Sequence, residues 1–188
     1  MLPLAFAEYA DFCGVSFKPG SVVALDLFGE PVLFDDLFER YLAYGGMPAI
    51  ASLEVRQAEH AAYMSSIYEA VASRDIVNRE RNRRQSRVTN PELLRNVADF
   101  LADNIGNQVS ASSIANTLTS AGVRTSHPTA ASYISALNEA YLFYRVSRYD
   151  LHGKAILRTN PKEYIVDLGL RSYLGGRSEE HTSELQSR

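Results

Sequence analysis

The spacing of apolar residues between 90 and 167 changes from a helical period to alternation, and this change restricts the folds open to the chain. Three helical segments come first, and each begins after a residue type that caps helix N-termini, namely Asn90, Ser110 and Ser126. Alternating segments follow at 142–149, 154–158 and 163–167. Three helices with a tight turn at Gly122 before the third, then strand, turn and strand, are typical of a winged helix-turn-helix.

The residues upstream of Asn90 have a mainly helical pattern. Apolar residues at i, i+3, i+4 and i+7 predict a helix over 34–44, which Gly45, Gly46 and Pro48 would end. Residues 53–85 predict one long helix or two in tandem, and the glycine- and proline-rich stretch 14–31 predicts a loop. The predicted fold class is therefore mainly α, within α+β.

The charge of the chain is distributed unevenly along its length. Residues 1–70 contain ten acidic and three basic residues, whereas 71–119 contain seven basic and five acidic, and 120–176 seven basic and four acidic. This basic excess permits a polyanionic partner without requiring one. The single cysteine excludes an internal disulfide and favours a reducing cytoplasm. No apolar run is long enough to predict a membrane-spanning helix.

The third predicted helix, 126–141, is the first candidate interaction surface. With Ile134 at the centre of the buried face, a helical wheel places small side chains on the far side, namely Thr129, Ser132, Ala136 and, at its end, Glu139. Small hydroxyl residues can approach DNA closely and bond to phosphates or base edges. However, the first two turns expose no Arg, Lys, Asn or Gln, and a face of small residues equally suits packing against another domain.

Arginines concentrated between Arg74 and Arg95 form the second candidate surface. The planar guanidinium pairs well with phosphate, although a solvated helix end would explain the same composition. Together the two surfaces predict nucleic-acid contacts from Arg79, Arg81, Arg83, Arg84, Arg124, Thr129, Ser132, Arg148 and Lys154.

The sequence contains no motif that completes an active site. The phosphate-binding, nucleophile-elbow and zinc-protease signatures are missing, and the histidines have no metal-ligand spacing. No catalytic residue, metal site or cofactor is therefore predicted for this chain.

Six short strings, in order, resemble AAA-type ATPases of archaea and bacteria that carry the C-terminal domain of unknown function 4143. The strings are LPLAFAEYADF (2–12), LFERYLAYGGMP (37–48), SRDI (73–76), NPELLRNVADFLADNIGNQVSASSIANTL (90–118), TAASYISALNEAYLFYRVSRYD (129–150) and KEYIVDLGLRSYL (162–174). The resemblance implies that Gly45, Gly46 and Pro48 form a nucleotide-lid signature, and that the parent protein uses ATP and Mg²⁺. At the third helix, His127 and Pro128 replace the basic residues that family members often carry.

The resemblance also implies a division of the chain. Its parts would be a remnant of the ATPase core and helical lid (1–52), a connecting helix (53–88), a winged-helix region (89–160), the start of a truncated nuclease-like domain (161–176), and a tail (177–188). The tail, RSEEHTSELQSR, resembles a translated sequencing adapter and is interpreted as an artefact or a disordered end.

Two functions follow from these observations. The first is a DNA-associated accessory region of an ATPase, with weak contact to the phosphate backbone. The second is a docking module without a nucleic-acid role, whose partner is the missing ATPase core or another copy of the chain. Neither involves a membrane, and a cytoplasmic location is expected for both.

Overall fold

The computed structural model describes residues 2–51, 57–77, 88–150, 155–156 and 160–175. Within them lie the helices α1 (Phe6–Phe12), α2 (Phe34–Tyr44), α3 (Pro48–Ala51), α4 (Gln57–Glu69), the π-helical stretch α5 (Ala70–Val77), α6 (Pro91–Asp103), α7 (Ala111–Ser120), α8 (His127–Glu139) and α9 (Leu168–Leu174). The strands are β1 (Val23–Leu25), β2 (Pro31–Leu33), β3 (Phe143–Val146), β4 (Tyr149–Asp150), β5 (Ala155–Ile156) and β6 (Lys162–Ile165). The fold is helix-rich with small antiparallel sheets, as the predicted α+β class requires.

The chain divides into two compact units, Met1–Ser65 with Asp167–Arg188, and Ser66–Val166. In the first unit, a small core forms around Tyr9, Ala10, Leu37 and Ala51. Aromatic rings extend this core, because Phe6 makes edge contacts with its neighbours Phe34, Phe38 and Tyr41 at 5.0–5.4 Å between ring centroids. Helix α9 packs on α2, so both ends of the described chain build this unit.

A hairpin in the first unit was not predicted. Strands β1 and β2 pair antiparallel with Ala24 opposite Val32. β1 lies inside the stretch 14–31 that the sequence predicted as a loop, and β2 begins at the last residue of that stretch. Ala24 is buried and Val32 packs against the core. Val23, Leu25 and Leu33, which alternate with these two residues along the strands, face outward. Because those outward residues are also apolar, the sequence shows no alternation there.

The second unit is built around α6, α7 and α8. The predicted caps are confirmed: the side chains of Asn90, Ser110 and Ser126 accept hydrogen bonds from backbone N–H groups in the first turns of these helices. The buried faces meet through fully buried residues such as Leu94, Ile114 and Leu137. Each helix is thus fixed at its start by a polar cap and along its length by apolar burial.

The strands of the second unit form an interrupted antiparallel hairpin. β3 pairs with β6, from Phe143 opposite Ile165 to Val146 opposite Lys162, and β4 pairs with β5 beyond a break. Lys162 also forms a bridge with Gln108, in the link between α6 and α7, so β6 lies between two extended segments. The domain boundary predicted between residues 160 and 161 separates β6 from β3, although these two strands pair with each other.

The predicted orientation of the third helix, α8, is wrong by part of a turn. Ala136, predicted on the far side, is buried, and the neighbouring Tyr133 is only 2% exposed. The Tyr133 hydroxyl accepts hydrogen bonds from the backbone N–H groups of Asn90 at 3.0 Å and Thr89 at 3.3 Å. This polar anchor turns the buried face towards Tyr133, and the exposed face then carries His127, Pro128, Ser135 and Glu139.

Tyr141, which follows the end of α8, is 68% exposed. Its φ of 58° is the left-handed conformation with which helices commonly end. The following N–H, of Leu142, bonds to the carbonyl of Leu137, which closes the helix. A position usually filled by glycine is here filled by an exposed aromatic residue.

Candidate functional site

Five of the predicted nucleic-acid contacts cannot be placed. Arg79, Arg81, Arg83, Arg84 and Lys154 lie outside the described residues. The structure therefore describes the second candidate surface, the arginine-rich stretch, only at its edges.

Of the other four predicted contacts, three lie on α8 or in the turn before it, and one lies in the hairpin. Arg124 is exposed in the turn that leads into α8, and Arg148 is exposed in the link between β3 and β4. Within the described part of the chain, neither arginine forms an ion pair. Thr129 and Ser132 lie on α8 itself and are partly buried.

The hydroxyl groups of α8 already have partners within the helix. Ser132 donates to the carbonyl of Pro128 at 2.9 Å, and Ser135 donates to Oε1 of Glu139 at 3.3 Å. The Thr129 hydroxyl lies 2.8 Å from that of Ser126. Because phosphate oxygens only accept hydrogen bonds, these hydroxyls have few donors left for DNA.

The N-terminus of α8 is similarly short of donors. Pro128 has no N–H, and the N–H of Thr129 is taken by the Ser126 side chain. Any anion that approaches α8 would therefore meet the exposed arginine Arg124 rather than a set of free backbone donors.

An ion pair within the hairpin is linked to the end of α8 through the buried carboxylate of Glu163. Arg145 donates from Nε to Oε1 of Glu163 at 2.8 Å, and Glu163 is almost fully buried with 2% of its side chain exposed. Asn138, in the last turn of α8, donates to the other carboxylate oxygen at 3.2 Å. This network fixes β3 and β6 against the end of the helix.

The predicted nucleotide-lid motif lies in the first unit, at a close contact with Asp167. The Gly46 N–H donates to Oδ2 of Asp167 at 2.8 Å, while Oδ1 accepts from Leu170 N–H at 3.0 Å and caps α9. A Cβ atom at Gly45 would collide with the same carboxylate, and one at Gly169 would collide with the carbonyl of Tyr44. Pro48 begins α3. The glycines thus allow the end of α2 and the start of α9 to meet.

Two titratable groups are buried at this contact, and sequence reasoning assigned neither of them a role there. Burial raises the pKa of Asp167, against the opposing effect of hydrogen bonds from the backbone of Gly46, Leu170 and Gly169. Burial lowers the pKa of His60, whose Nε2 lies 3.1 Å from the carbonyl oxygen of Tyr44. The signal available in the sequence was an Asp directly before a helical segment, which is a common N-cap.

The lowered pKa of His60 predicts a pH-dependent stability. A histidine whose pKa is lower in the folded than in the unfolded chain stabilises fully above its unfolded pKa of about 6.5. That stabilisation is lost as the pH falls from this value through the lower pKa of the folded protein. We expect the free energy of unfolding to fall from pH 7.5 to pH 5.5, and His60→Gln to make this fall smaller.

Urea titrations followed by circular dichroism at both pH values would measure this difference. The raised pKa of Asp167 acts in the opposite sense, since its stabilisation is full below the unfolded pKa and is lost as the pH rises; it is present in both proteins. His127→Gln is the matched control for the loss of a histidine, because His127 is exposed. Equal pH dependence in wild type and His60→Gln would contradict the prediction.

The described residues give two further findings. No helix among them is long and apolar enough to cross a membrane. They also contain no group of three or more His, Cys, Asp or Glu residues arranged to hold a metal ion.

Comparison with known proteins gives a family of unknown function. The family model described as "Domain of unknown function (DUF8612)" matches residues 35–181, and so extends past residue 176 into the predicted tail. An "Uncharacterized protein" of Haemophilus influenzae strain Rd is 36% identical over 175 residues, which are 93% of this chain and 39% of the relative. The chain therefore spans about two fifths of the length of that relative. No solved structure matches.

These matches correct the resemblance drawn from the six strings. Its assignment to AAA-type ATPases with domain of unknown function 4143 is wrong, because the matching family is a different one and the relative has no ATP-binding description. The nucleotide-lid role of Gly45, Gly46 and Pro48 was implied by that resemblance and loses its basis. ATP and Mg²⁺ in the parent protein rested on the same resemblance and stay a prediction without other support.

Proposed function

This chain belongs to the family described as domain of unknown function 8612, and we propose that its second unit is a winged helix-turn-helix that contacts the DNA backbone without reading sequence. In a protein as long as the Haemophilus influenzae relative, of which this chain covers 39%, the contact would serve the rest of the polypeptide. The observation that carries the proposal is the pair of exposed arginines, Arg124 and Arg148, beside α8 and in the hairpin.

The order of the elements supports the winged-helix interpretation. Three helices are followed by a hairpin, and β6 is bridged at Lys162 to the extended link around Gln108. In a winged helix-turn-helix, the recognition helix is the one that follows the tight turn. Here that helix is α8, and the turn is fixed because the Thr119 hydroxyl contacts the backbone of Thr125.

The polar groups of α8 support backbone contact over base reading. From His127 to Ser135 the helix carries no acidic residue that would repel phosphate, and Glu139 is the first. It also exposes no Arg, Lys, Asn or Gln in this range, and these residues supply most direct contacts to bases. Because its serine hydroxyls form hydrogen bonds within the helix, α8 would contact DNA through the fit of its surface and through the arginines that flank it.

A salt titration tests this proposal. The probes are two short DNA duplexes of unrelated sequence, and the readout is fluorescence anisotropy at several salt concentrations. We expect equal affinity for both duplexes, which weakens as salt rises, and a salt slope that becomes shallower by about two units in Arg124→Ala/Arg148→Ala, one for each lost phosphate contact.

Ser132→Ala is the matched control, because the hydroxyl it removes is bonded within α8. This variant should bind both duplexes like wild type. Absence of binding at roughly 50 mM salt, or an unchanged slope in the double arginine variant, would contradict the proposal.

A docking module is the second candidate, and the outer face of the hairpin favours it. Tyr144 and Tyr164 lie directly opposite each other there, and each is 39% exposed. Val146, on the same face, is 50% exposed. Aromatic residues are enriched at protein interfaces, so failure of the DNA titration would leave docking to the rest of the longer protein as the better explanation.

A further inference from the structure

The hairpin of β1 and β2 exposes more apolar surface than any other described element of the first unit. Six exposed apolar residues lie on the hairpin or directly before it, and we call them the hairpin patch: Val22, Val23, Leu25, Leu27, Phe28 and Leu33. Their exposed fractions run from 43% at Val23 to 90% at Phe28. We propose that the hairpin patch docks the part of the longer protein that lies outside this chain.

The inner and outer sides of the hairpin explain why the patch stays exposed. The inner side, Ala24 and Val32, is held by the core of the first unit. The register places Val23 opposite Leu33 on the other side. Because side chains of a strand alternate between the two sides of a sheet, the core of the first unit covers only the inner set.

The tip of the hairpin is held in a fixed shape. Oδ1 of Asp26 accepts hydrogen bonds from the backbone N–H groups of Phe28 at 2.8 Å and Glu30 at 2.9 Å. The Asp26 N–H donates to the carbonyl of Glu30 at 2.9 Å, which closes the turn. Phe28 is thus presented to solvent by an ordered turn, and an anchor that is already ordered loses less entropy on binding.

The exposed apolar residues of the patch are close together in the sequence. All six lie within residues 22–33, and four of them, Val22, Leu25, Leu27 and Phe28, are more than 60% exposed. Exposed apolar residues that are clustered mark interaction sites, whereas scattered single ones need no explanation.

The charges around the patch argue against a second copy of the chain. Glu30, Asp35 and Asp36 are exposed beside it, at the end of β1–β2 and in the first turn of α2. A symmetric dimer through the patch would place the same surface against itself, acidic rim included. A partner that presents an apolar surface with basic residues around it would complement the hairpin patch better than a second copy would.

The length of the relative indicates which polypeptide binds the hairpin patch. This chain covers 39% of the Haemophilus influenzae protein, so most of that polypeptide lies outside the matched stretch. A segment of the same polypeptide is present at high effective concentration and needs little affinity of its own.

Binding in trans tests the proposal. The probe is the portion of the Haemophilus influenzae relative outside the matched stretch, made as a separate polypeptide, and sedimentation velocity measures its binding to this chain. We expect wild type to bind and Phe28→Ser to weaken binding at least tenfold. Hydrogen exchange should slow in residues 22–33 on addition of the probe.

Leu42→Ser is the matched control, because Leu42 is an exposed apolar residue of the same unit on α2, outside the patch. It should bind within about twofold of wild type, and both variants should keep the melting temperature of wild type, since exposed side chains contribute little to stability. Three outcomes would overturn the proposal: no binding by wild type, unchanged binding by Phe28→Ser, or self-association of the chain that Phe28→Ser abolishes.

Discussion

Gly45→Ala should destabilise the first unit by roughly 3 kcal/mol, by combining backbone strain with a collision. Gly45 has φ 82° and ψ −175°, a region open almost only to glycine. The new methyl group would also meet the Asp167 carboxylate and the backbone N of Gly169, which cannot move without separating α9 from α2.

Gly29→Ala is the matched control for this prediction. Gly29 has nearly the same φ, 85°, but no atom lies within 4 Å of the position that a Cβ would take. Its replacement should cost about 1 kcal/mol, from the backbone alone. Thermal and urea unfolding followed by circular dichroism would compare the variants, with hydrogen exchange in α2 as the local readout. Equal destabilisation by the two substitutions would show that the close contact with Asp167 contributes nothing.

Arg145→Met should destabilise the second unit by about 3 kcal/mol. The change keeps much of the side-chain volume but leaves the carboxylate of Glu163, 2% exposed, without its cation. Removal of one partner of a buried pair costs about 3–5 kcal/mol, and the lower end applies because Arg145 is 46% exposed and water can reach the gap.

The double variant Arg145→Met/Glu163→Gln separates the charge effect from packing. A neutral amide can still accept from Asn138, so most of the lost stability should return. Urea midpoints of wild type, single and double variants, measured at pH 7, give the comparison. A double variant as unstable as the single one would show that packing by Arg145, and not its charge, stabilises the hairpin.

Local signals in the sequence predicted the helices well because caps and breakers act over a few residues. Helix α2 spans Phe34–Tyr44 as predicted, since Gly45 and Gly46 stop it at that point. The caps at Asn90, Ser110 and Ser126 depend only on side-chain type and on the following turn. These features could be predicted without any knowledge of tertiary contacts.

The errors arose where contacts distant in sequence decide the outcome. The orientation of α8 depends on the Tyr133 hydroxyl meeting the backbone of Asn90, 43 residues away. The role of Asp167 depends on Gly46, 121 residues away. Hairpin β1–β2 was missed because its solvent side is as apolar as its inner side, which removes the alternation that identifies a half-buried strand.

The distance in sequence between Gly46 and Asp167 also affects how the chain folds during its synthesis. The first unit needs Asp167 and α9, yet about one hundred residues, Ser66–Val166, come between them and Ser65. At about 5–20 residues per second, the ribosome needs roughly 5 to 20 s to make that insert. The first unit therefore begins to emerge before the second unit and is completed after it. Until then, Gly46 and the end of α2 lack the carboxylate that joins them to α9.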